Sequence, residues 1–537
     1  MDIRQKTTAL IDALKAVCRS YGLGNDGNEY KIITQVFLYK FINDKLGHEL
    51  RRNHKITGDW ENEYSAQMCS ELFRELPQDI PRLRPGQLVS DLWNQRERPD
   101  FDRVFDNTMI AVSDLNSEVF YTRTAQETRI PLFEKLTPFV MDEAQRAPFA
   151  RAVIEKLHDF SFEEAFSRGY DFFADIFEYL IKDYNTASGG KYAEYYTPHS
   201  VAEIMARLLA DGGSGEYAEC YDPSAGTGTL LMALAHRLGT EHCGIFAQDI
   251  SQRSNKMLKL NLILNGLASS LDNAVQGDTL LTPFHTEPDG KTPKKFDYII
   301  SNPPFKMDFS DTREQLAEMP ERFWAGVPKI PAKKKESMAV YTCFLQHVIN
   351  SMKPGGRAAV VVPTGFVMAK NGVENAILRY ITDNHLVYGC ISMPSNLFAS
   401  TGTNVSVLFL DNSGKSREAV LINAADMGED YRDNGVQRHR LRENEAEEMI
   451  SAFRSRADIE DFSIVVSHEK IRTKNYSLSA GQYFGVKQTS ESLSSEDFSE
   501  ELRKCTDELR RLNAESSALQ EDIFRQLARL GIREDGE

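Results

Sequence analysis

The sequence predicts an α/β protein: a Rossmann-like, largely parallel sheet, preceded by a helical region and followed by a long terminal helix. Three observations carry this. From about residue 190 to 410, short apolar runs alternate with helical patterns, the mark of βαβ units. Earlier residues repeat apolar side chains at helical spacing. The last segment carries a heptad-like series of leucines. Three domains are therefore expected: residues 1–165, 166–485 and 486–537.

In the first domain, the turn signal Gly22-Leu23-Gly24-Asn25-Asp26-Gly27 precedes Ile33, Phe37 and Phe41 at i, i+4 and i+8, with Val36 and Leu46 beside them. It shows no nucleophile, metal cluster or phosphate loop, so its residues support a structural or DNA-clasping role and no more. Asn185-Thr186-Ala187-Ser188-Gly189-Gly190 marks a loop to the next region. Thr197 and Pro198 then read as the cap and first position of a helix from about Ser200 to Leu209. Strands are expected near Cys220 and at Gly244–Ala247, Ala274–Gln276, Tyr298–Ser301, Ala358–Val362, Val387–Ser392 and Val405–Leu410, with a helix over Leu230–Leu238. Residues 411–484 are less legible. At the end, Leu502, Cys505, Leu509, Leu512, Leu519, Ile523 and Leu530 fit a and d positions, with Ser516 and Gln526 as exceptions, behind the capping run Ser494-Ser495-Glu496-Asp497. A single amphipathic helix of this length needs a surface to cover, on a partner or on its own domain.

Composition narrows the class. The 537 residues are 41% hydrophobic and 26% charged, as in globular proteins. No apolar run is long enough to span a membrane and the first residues lack a signal-peptide pattern, so a cytoplasmic protein is expected. The seven cysteines form no CxxC pair, which points to reduced thiols and no structural zinc or other metal. A net charge of −16 argues against a chain that wraps nucleic acid alone. It leaves room for a catalytic subunit whose DNA contacts come mainly from a partner. Basic residues do cluster locally, at Lys329, Lys333, Lys334 and Lys335.

The chemistry sits at strand ends. Asn302-Pro303-Pro304-Phe305 follows the apolar run ending at Ile300, and two prolines cannot continue a central strand. The chain must leave the sheet as a stiff loop offering an amide, a proline carbonyl and an aromatic ring. Those groups can hold an exocyclic amine by its two hydrogens while the ring stacks on its base; an ordinary strand-exit loop has the same look. Upstream, Asp222-Pro223-Ser224-Ala225-Gly226-Thr227-Gly228-Thr229 joins a strand to a helix. Its glycines permit a tight turn and close ligand approach, without the lysine of a P-loop or the GxGxxG fingerprint. Asp249 ends the second strand, where a carboxylate can accept from ribose hydroxyls; Asp278 ends the third, where one can accept from an adenine amino group. Either could instead be a helix cap. Glu194-Tyr195-Tyr196-Thr197-Pro198-His199 could close over a cofactor. Four consecutive strands each delivering a polar residue to one edge favour a ligand site.

Together these residues resemble the adenine-N6 DNA methyltransferases, most closely the modification subunits of type I restriction–modification systems. The matching pieces are YYTP (195–198), DPSAGTGT (222–229), QD (248–249), GD (277–278) and NPPF (302–305). GGRAAVVVP (355–363), MPSNLFASTGTNVSVLFL (393–410) and KNYSLSAGQYF (474–484) look like later parts of the same catalytic domain, so the resemblance covers nearly the whole chain. The family commonly has Glu where this chain has Asp249. Lys306–Ser337 matches no family pattern; it suits either a phosphate-contacting flap or a solvated insertion.

The resemblance implies S-adenosyl-L-methionine as cofactor, held by residues 194–199, Asp222, Ser224, Gly226, Thr227, Gly228, Thr229, Asp249 and Asp278. It implies a flipped adenine stacked on Phe305, with Phe398 as the other wall, and its amine held by Asn302 and Pro303 ahead of Pro304. Implied partners are duplex DNA, a specificity subunit, a second modification subunit and a restriction subunit. The stretch 411–484 looks too short for a separate recognition domain, which points to another chain docked partly through the 495–530 helix. An amino-group methyltransferase acting on protein glutamine or RNA shares an NPP-aromatic loop, and a stand-alone adenine methyltransferase of another phage-defence system is a further rival.

Overall fold

The computed structural model describes residues 2–24, 27–54, 60–75, 82–117, 121–124, 129–131, 133–166, 179, 197–211, 217–398, 404–433, 436–484 and 495–529. The N-terminal region is built on helices Ile3–Ser20, Gly27–His54, Phe101–Leu115 and Glu143–His158. Ile33, Val36, Phe37, Phe41 and Leu46 are all buried, as their spacing predicts. Phe37 and Phe41 meet Phe162 edge-on, with ring centroids 5.0 and 5.7 Å apart. The first helix closes at Gly22, whose φ of +78° suits glycine.

This region also supplies two strands that helical periodicity did not announce, β1 (Tyr121–Thr124) and β2 (Arg129–Pro131). They join the edge of the main sheet, β1 pairing in parallel with β5. Residues Met1–Phe484 accordingly form one compact unit.

The other strands are β3 (Ala218–Asp222), β4 (Cys243–Asp249), β5 (Ala274–Gln276), β6 (Phe296–Ser301), β7 (Met352–Pro363), β8 (Val387–Ser392), β9 (Val405–Asp411), β10 (Glu418–Asn423), β11 (Glu429–Asp433), β12 (Val436–Arg440) and β13 (Ser463–Ser467). Each strand expected from the sequence is present. β7 starts earlier than its apolar run, because Met352 already pairs with Phe296 ahead of a bulge. The sheet runs β13-β10-β8-β9-β7-β6-β3-β4-β5-β1-β2, and β11 and β12 form a separate ribbon. It is parallel from β1 through β5, β4, β3 and β6 to β7; β9 then runs antiparallel to both β7 and β8. Alternate residues of β7 fall into two different core clusters, Ala359 and Val361 in one and Ala358, Val360 and Val362 in the other. The strand is therefore buried on both faces, which explains its unbroken apolar run.

From β3 the chain builds outward through β4 and β5, then returns to the opposite side of β3 as β6. The direction reverses between β3 and β6, so their carboxyl ends flank the crevice where open α/β sheets bind ligands. Both chemically suggestive loops leave the sheet there.

Residues Gly485–Glu537 form a second unit. Within it, Ser495–Arg529 is one helix of 35 residues. Leu502, Leu509, Leu512, Leu519 and Ile523 are exposed along it. Leu530 and Ser494 lie outside the described residues. No helix among the described residues is long and apolar enough to cross a membrane.

Candidate active site

Asp222 is the last residue of β3 and is buried. Its Oδ1 accepts the Ser224 N–H at 2.9 Å and the Ser301 hydroxyl at 2.7 Å. Ser301 ends β6, so one carboxylate oxygen ties the two strands at the point where the topology reverses. Burial pushes the Asp222 carboxyl up to about 7; the Ser224 and Ser301 bonds oppose this and the charge of Asp249 adds to it. Sequence reasoning passed over Ser301, whose only signal is its place before the NPPF loop.

The glycine loop is held by the neighbouring strand. Gly226 N–H donates to Asp249 Oδ2 at 2.8 Å, and Ser251 N–H donates to Asp249 Oδ1 at 2.8 Å. Both Asp249 oxygens thus already brace backbone, and burial raises its carboxyl above the usual range against those two bonds. Gly228 takes φ +84°, and a Cβ there would stand 2.4 Å from Leu258 Cδ1. It serves helix packing as well as the turn: helix Gln252–Leu264 lies against the start of helix Thr229–Leu238, and Asn261 Nδ2 holds the Thr227 carbonyl at 3.1 Å. Thr227 and Thr229 hydroxyls lie 3.4 Å apart. Asp278 follows β5; its Oδ1 accepts from Leu280 N–H at 2.9 Å and Leu281 N–H at 3.1 Å, so it braces a turn, and no helix among the described residues begins there to be capped. Its Oδ2 takes no hydrogen bond from a described residue.

Asn302 leaves β6 beside Asp222. Its Nδ2 donates to Thr197 Oγ1 at 3.0 Å. This corrects the expected cap: the helix runs His199–Leu209 with Pro198 in the cap position and no side-chain cap bond. The Pro198 carbonyl accepts from Val201 and Ala202, while the Thr197 hydroxyl is turned to Asn302. Asn302 Oδ1 and the Pro303 carbonyl take no hydrogen bond from any described residue. Pro303 is buried, and Pro304 and Phe305 are half-buried. The Phe305 ring meets Tyr341 edge-on at 6.4 Å. Phe398 is buried among the main core residues. Glu194, Tyr195 and Tyr196 lie outside the described residues.

The segment after NPPF has a packed core of its own beside its exposed residues. Phe309, Leu316, Phe323, Val327 and Met338 form a small core with Leu280. Buried Arg322 donates to the carbonyls of Leu280 at 2.7 Å and Thr279 at 3.2 Å, clamping the turn behind Asp278. It also reaches His347 Nδ1 at 3.2 Å, and Tyr221 Oη lies 3.1 Å from His347 Nε2. Since arginine only donates, His347 Nδ1 accepts and its Nε2 carries the proton. Burial, then the Arg322 charge, drives the imidazole well below its usual titration, so it stays neutral. Lys333, Lys334 and Lys335 are exposed.

Together the carboxyl ends of these strands gather Asp222 and Asp249, which have no cation within ion-pair distance among the described residues, with Asp278 beside them. The start of a helix lies on one side and two unclaimed oxygen acceptors on the other. Such a set fits a ligand carrying positive charge next to an amine donor.

Comparison with known proteins agrees. The chain is similar to the methylase subunit of the type I restriction enzyme MpnII from Mycoplasma pneumoniae, 24% identical over 378 residues that span 70% of this chain and 68% of that one. It is similar to the MjaIX methylase subunit of Methanocaldococcus jannaschii, 26% identical over 416 residues, 72% and 71% of the two chains. The fold matches a crystal structure of a type I restriction-modification system methyltransferase subunit from Streptococcus thermophilus, with a TM-score of 0.69 and 19% identity over 90% of this chain and 100% of that one. Residues 168–492, more than half of the chain, match the N-6 DNA methylase family, and the chain belongs to that family.

Proposed function

We propose that this chain moves a methyl group to the N6 amino group of adenine in DNA, as the methylase subunit of a type I restriction–modification complex. The observation that carries this is the pair of unclaimed acceptors, Asn302 Oδ1 and the Pro303 carbonyl, beside the crevice at β3 and β6. Adenine N6 is a poor nucleophile because its lone pair is delocalised into the ring. Accepting its two hydrogens on these oxygens turns the nitrogen toward tetrahedral geometry and frees the lone pair. The base must first leave the duplex, where its amine is paired. Phe305 then stacks on it, Phe398 forms the opposite wall, and Pro304 keeps the loop stiff. Positioning supplies most of the rate.

S-adenosyl-L-methionine, when bound, would supply the sulfonium methyl, the S–CH3 bond breaking as N6–CH3 forms, with a neutral thioether as leaving group and one N6 proton passing to solvent. Asp222, Ser224, Gly226, Thr227, Gly228, Thr229, Asp249 and Asp278 would hold it, with Glu194, Tyr195, Tyr196, Thr197, Pro198 and His199 closing over it. The carboxylates suit its positive charge, and the start of helix Thr229–Leu238 suits its carboxylate.

We assign residues 1–165 to a helical domain, 166–485 to catalysis and 486–537 to docking. A specificity subunit would read the DNA site, alongside a second methylase subunit and a restriction subunit, in the cytoplasm. The exposed leucines of helix Ser495–Arg529 support that docking role. Removing residues after 490 should then weaken assembly with the specificity subunit while cofactor affinity persists; unchanged elution of the complex on a sizing column would remove it.

Labelled-methyl transfer tests the chemistry. N6-methyladenine in DNA is expected, and label in protein or RNA instead would favour the rival amino-group methyltransferases.

A further inference from the structure

We infer that Thr197 is a positioning residue for the catalytic amide: its hydroxyl anchors the Asn302 side chain in the place from which the amide meets the substrate amine. The inference rests on the reading of Asn302 given above. An asparagine amide presents an acceptor at one end and a two-hydrogen donor at the other, in nearly the same shape. Turned one way, it accepts a hydrogen from an incoming amine; turned the other, it sets N–H against N–H and repels it. A hydroxyl can pair with either end, so what has to be held from outside the substrate is the place of the amide. The substrate amine, which only donates here, then selects the acceptor end.

Thr197 supplies that hold. Its Oγ1 accepts from Asn302 Nδ2 at 3.0 Å, across 105 positions of sequence. No other described residue bonds the Asn302 side chain. Thr197 is only 4% exposed, so water does not compete freely for the bond. It also has a firm base. The next residue, Pro198, has a fixed φ and starts helix His199–Leu209, where Val201, Ala202, Ile204, Met205, Leu208 and Leu209 are buried. A threonine preceding a proline and a helix reads as a cap from sequence alone. Here the cap bond is absent and the hydroxyl is given to Asn302.

The bond makes a separable prediction. Thr197→Val keeps the shape and removes the acceptor, while Thr197→Ser keeps the hydroxyl. Single-turnover methylation would be measured at saturating S-adenosyl-L-methionine, with the full chain in the complex that methylates DNA. Calorimetric cofactor affinity and melting temperature would be followed alongside. Thr197→Val should slow transfer by roughly 10- to 100-fold, the scale of a misplaced reacting group, with the melting temperature retained. Thr197→Ser should recover the rate to within about threefold, less than one ordinary hydrogen bond. An unchanged saturating rate in Thr197→Val, with only cofactor affinity reduced, would leave Thr197 its proposed cofactor-closing role alone and overturn the inference. So would equal losses of rate and melting temperature in Val and Ser, which mark a packing role. If the wild-type complex itself puts no methyl on adenine, the functional reading falls first. If wild type methylates, Asn302→Ala does not, and Thr197→Val behaves as wild type, then only this inference fails.

Discussion

The two ends of the same strands treat negative charge in opposite ways. At the amino ends of β3 and β6, Glu219 and Asp297 are neutralised by lysines: Lys294 lies 2.8 Å from Glu219, and Lys353 lies 3.1 Å from Glu219 and 2.8 Å from Asp297. Burial opposes ionisation of Glu219, but the two ammonium groups prevail and hold it below its ordinary range. At the carboxyl ends, Asp222 and Asp249 have no cation within ion-pair distance among the described residues. Only backbone N–H groups and serine hydroxyls hold them, and burial raises both. Uncompensated buried carboxylates are destabilising, and a positively charged ligand at the carboxyl edge, as in the proposed function, would offset that cost. At the amino edge the charges are paired within the fold.

Substitutions at the carboxyl edge should have the largest effects. Asn302→Ala should lower methyl transfer by on the order of 10³-fold, comparable to loss of a transition-state hydrogen bond, while calorimetric cofactor affinity stays near wild type. Near-normal methylation would take Asn302 out of the mechanism.

Asp222→Asn comes next and has a pH signature. The Asp222 carboxyl titrates near 7 when folded, against about 3.9 in an unfolded chain. Its protonated form therefore stabilises the fold fully below the unfolded value, and that contribution is lost as pH rises through 7. Melting curves without cofactor should show Asp222→Asn gaining on wild type between pH 4 and 8. A gap that narrows with pH would mean that Asp222 is held as an anion, like Glu219.

Much of this was legible in the sequence, for definable reasons. β7 and β9 announce themselves because burial forces unbroken apolar runs, and NPPF and the glycine loop because prolines and glycines interrupt the pattern. The roles of Asp249 and Asp278 were legible only in part. Capping bonds and ligand contacts ask for the same residue type, and the structure shows that both aspartates do brace backbone. Thr197 was misread for the same reason. Arg322 and His347 carry no local signal, and Ser301 only its place before NPPF, since their partners lie far away in sequence. β1 and β2 were hidden because a short edge hairpin inside a helical region has too few residues to set up an alternation.

Arg322 sharpens the comparison from the middle. It is a buried cation near the carboxyl edge, yet its hydrogen bonds go to the carbonyls of Thr279 and Leu280 and to His347. Its charge is felt by Asp278, while Asp222 and Asp249 have no ion-pair partner among the described residues. Arg322→Met should destabilise by about 1–3 kcal/mol through the carbonyls left unpaired. It should also weaken cofactor affinity by loosening the turn at Asp278. A denaturant series with calorimetry would check both; lost stability with unchanged affinity would detach Asp278 from the site.

The smallest effect belongs to the amino edge. Lys353→Met leaves Glu219 its partner Lys294, and Lys353 is part-exposed, so the loss should be about 0.2–1 kcal/mol with rate and cofactor affinity unchanged. Its pH course should run against that of Asp222. Glu219 is depressed in the fold, so its stabilising contribution is present above its unfolded value and disappears as pH falls through its folded one. Lys353 is raised, because its bonds to Asp297 and Glu219 outweigh burial, and its contribution persists until the solution is strongly alkaline. The gap between wild type and Lys353→Met should thus be open at pH 7 and close in acid, where the Asp222 contribution is at its fullest. Melting curves of the two variants measured together would show opposite slopes from two ends of one strand. Parallel slopes, or a methylation defect in Lys353→Met, would mean that charge at the amino edge also serves the site.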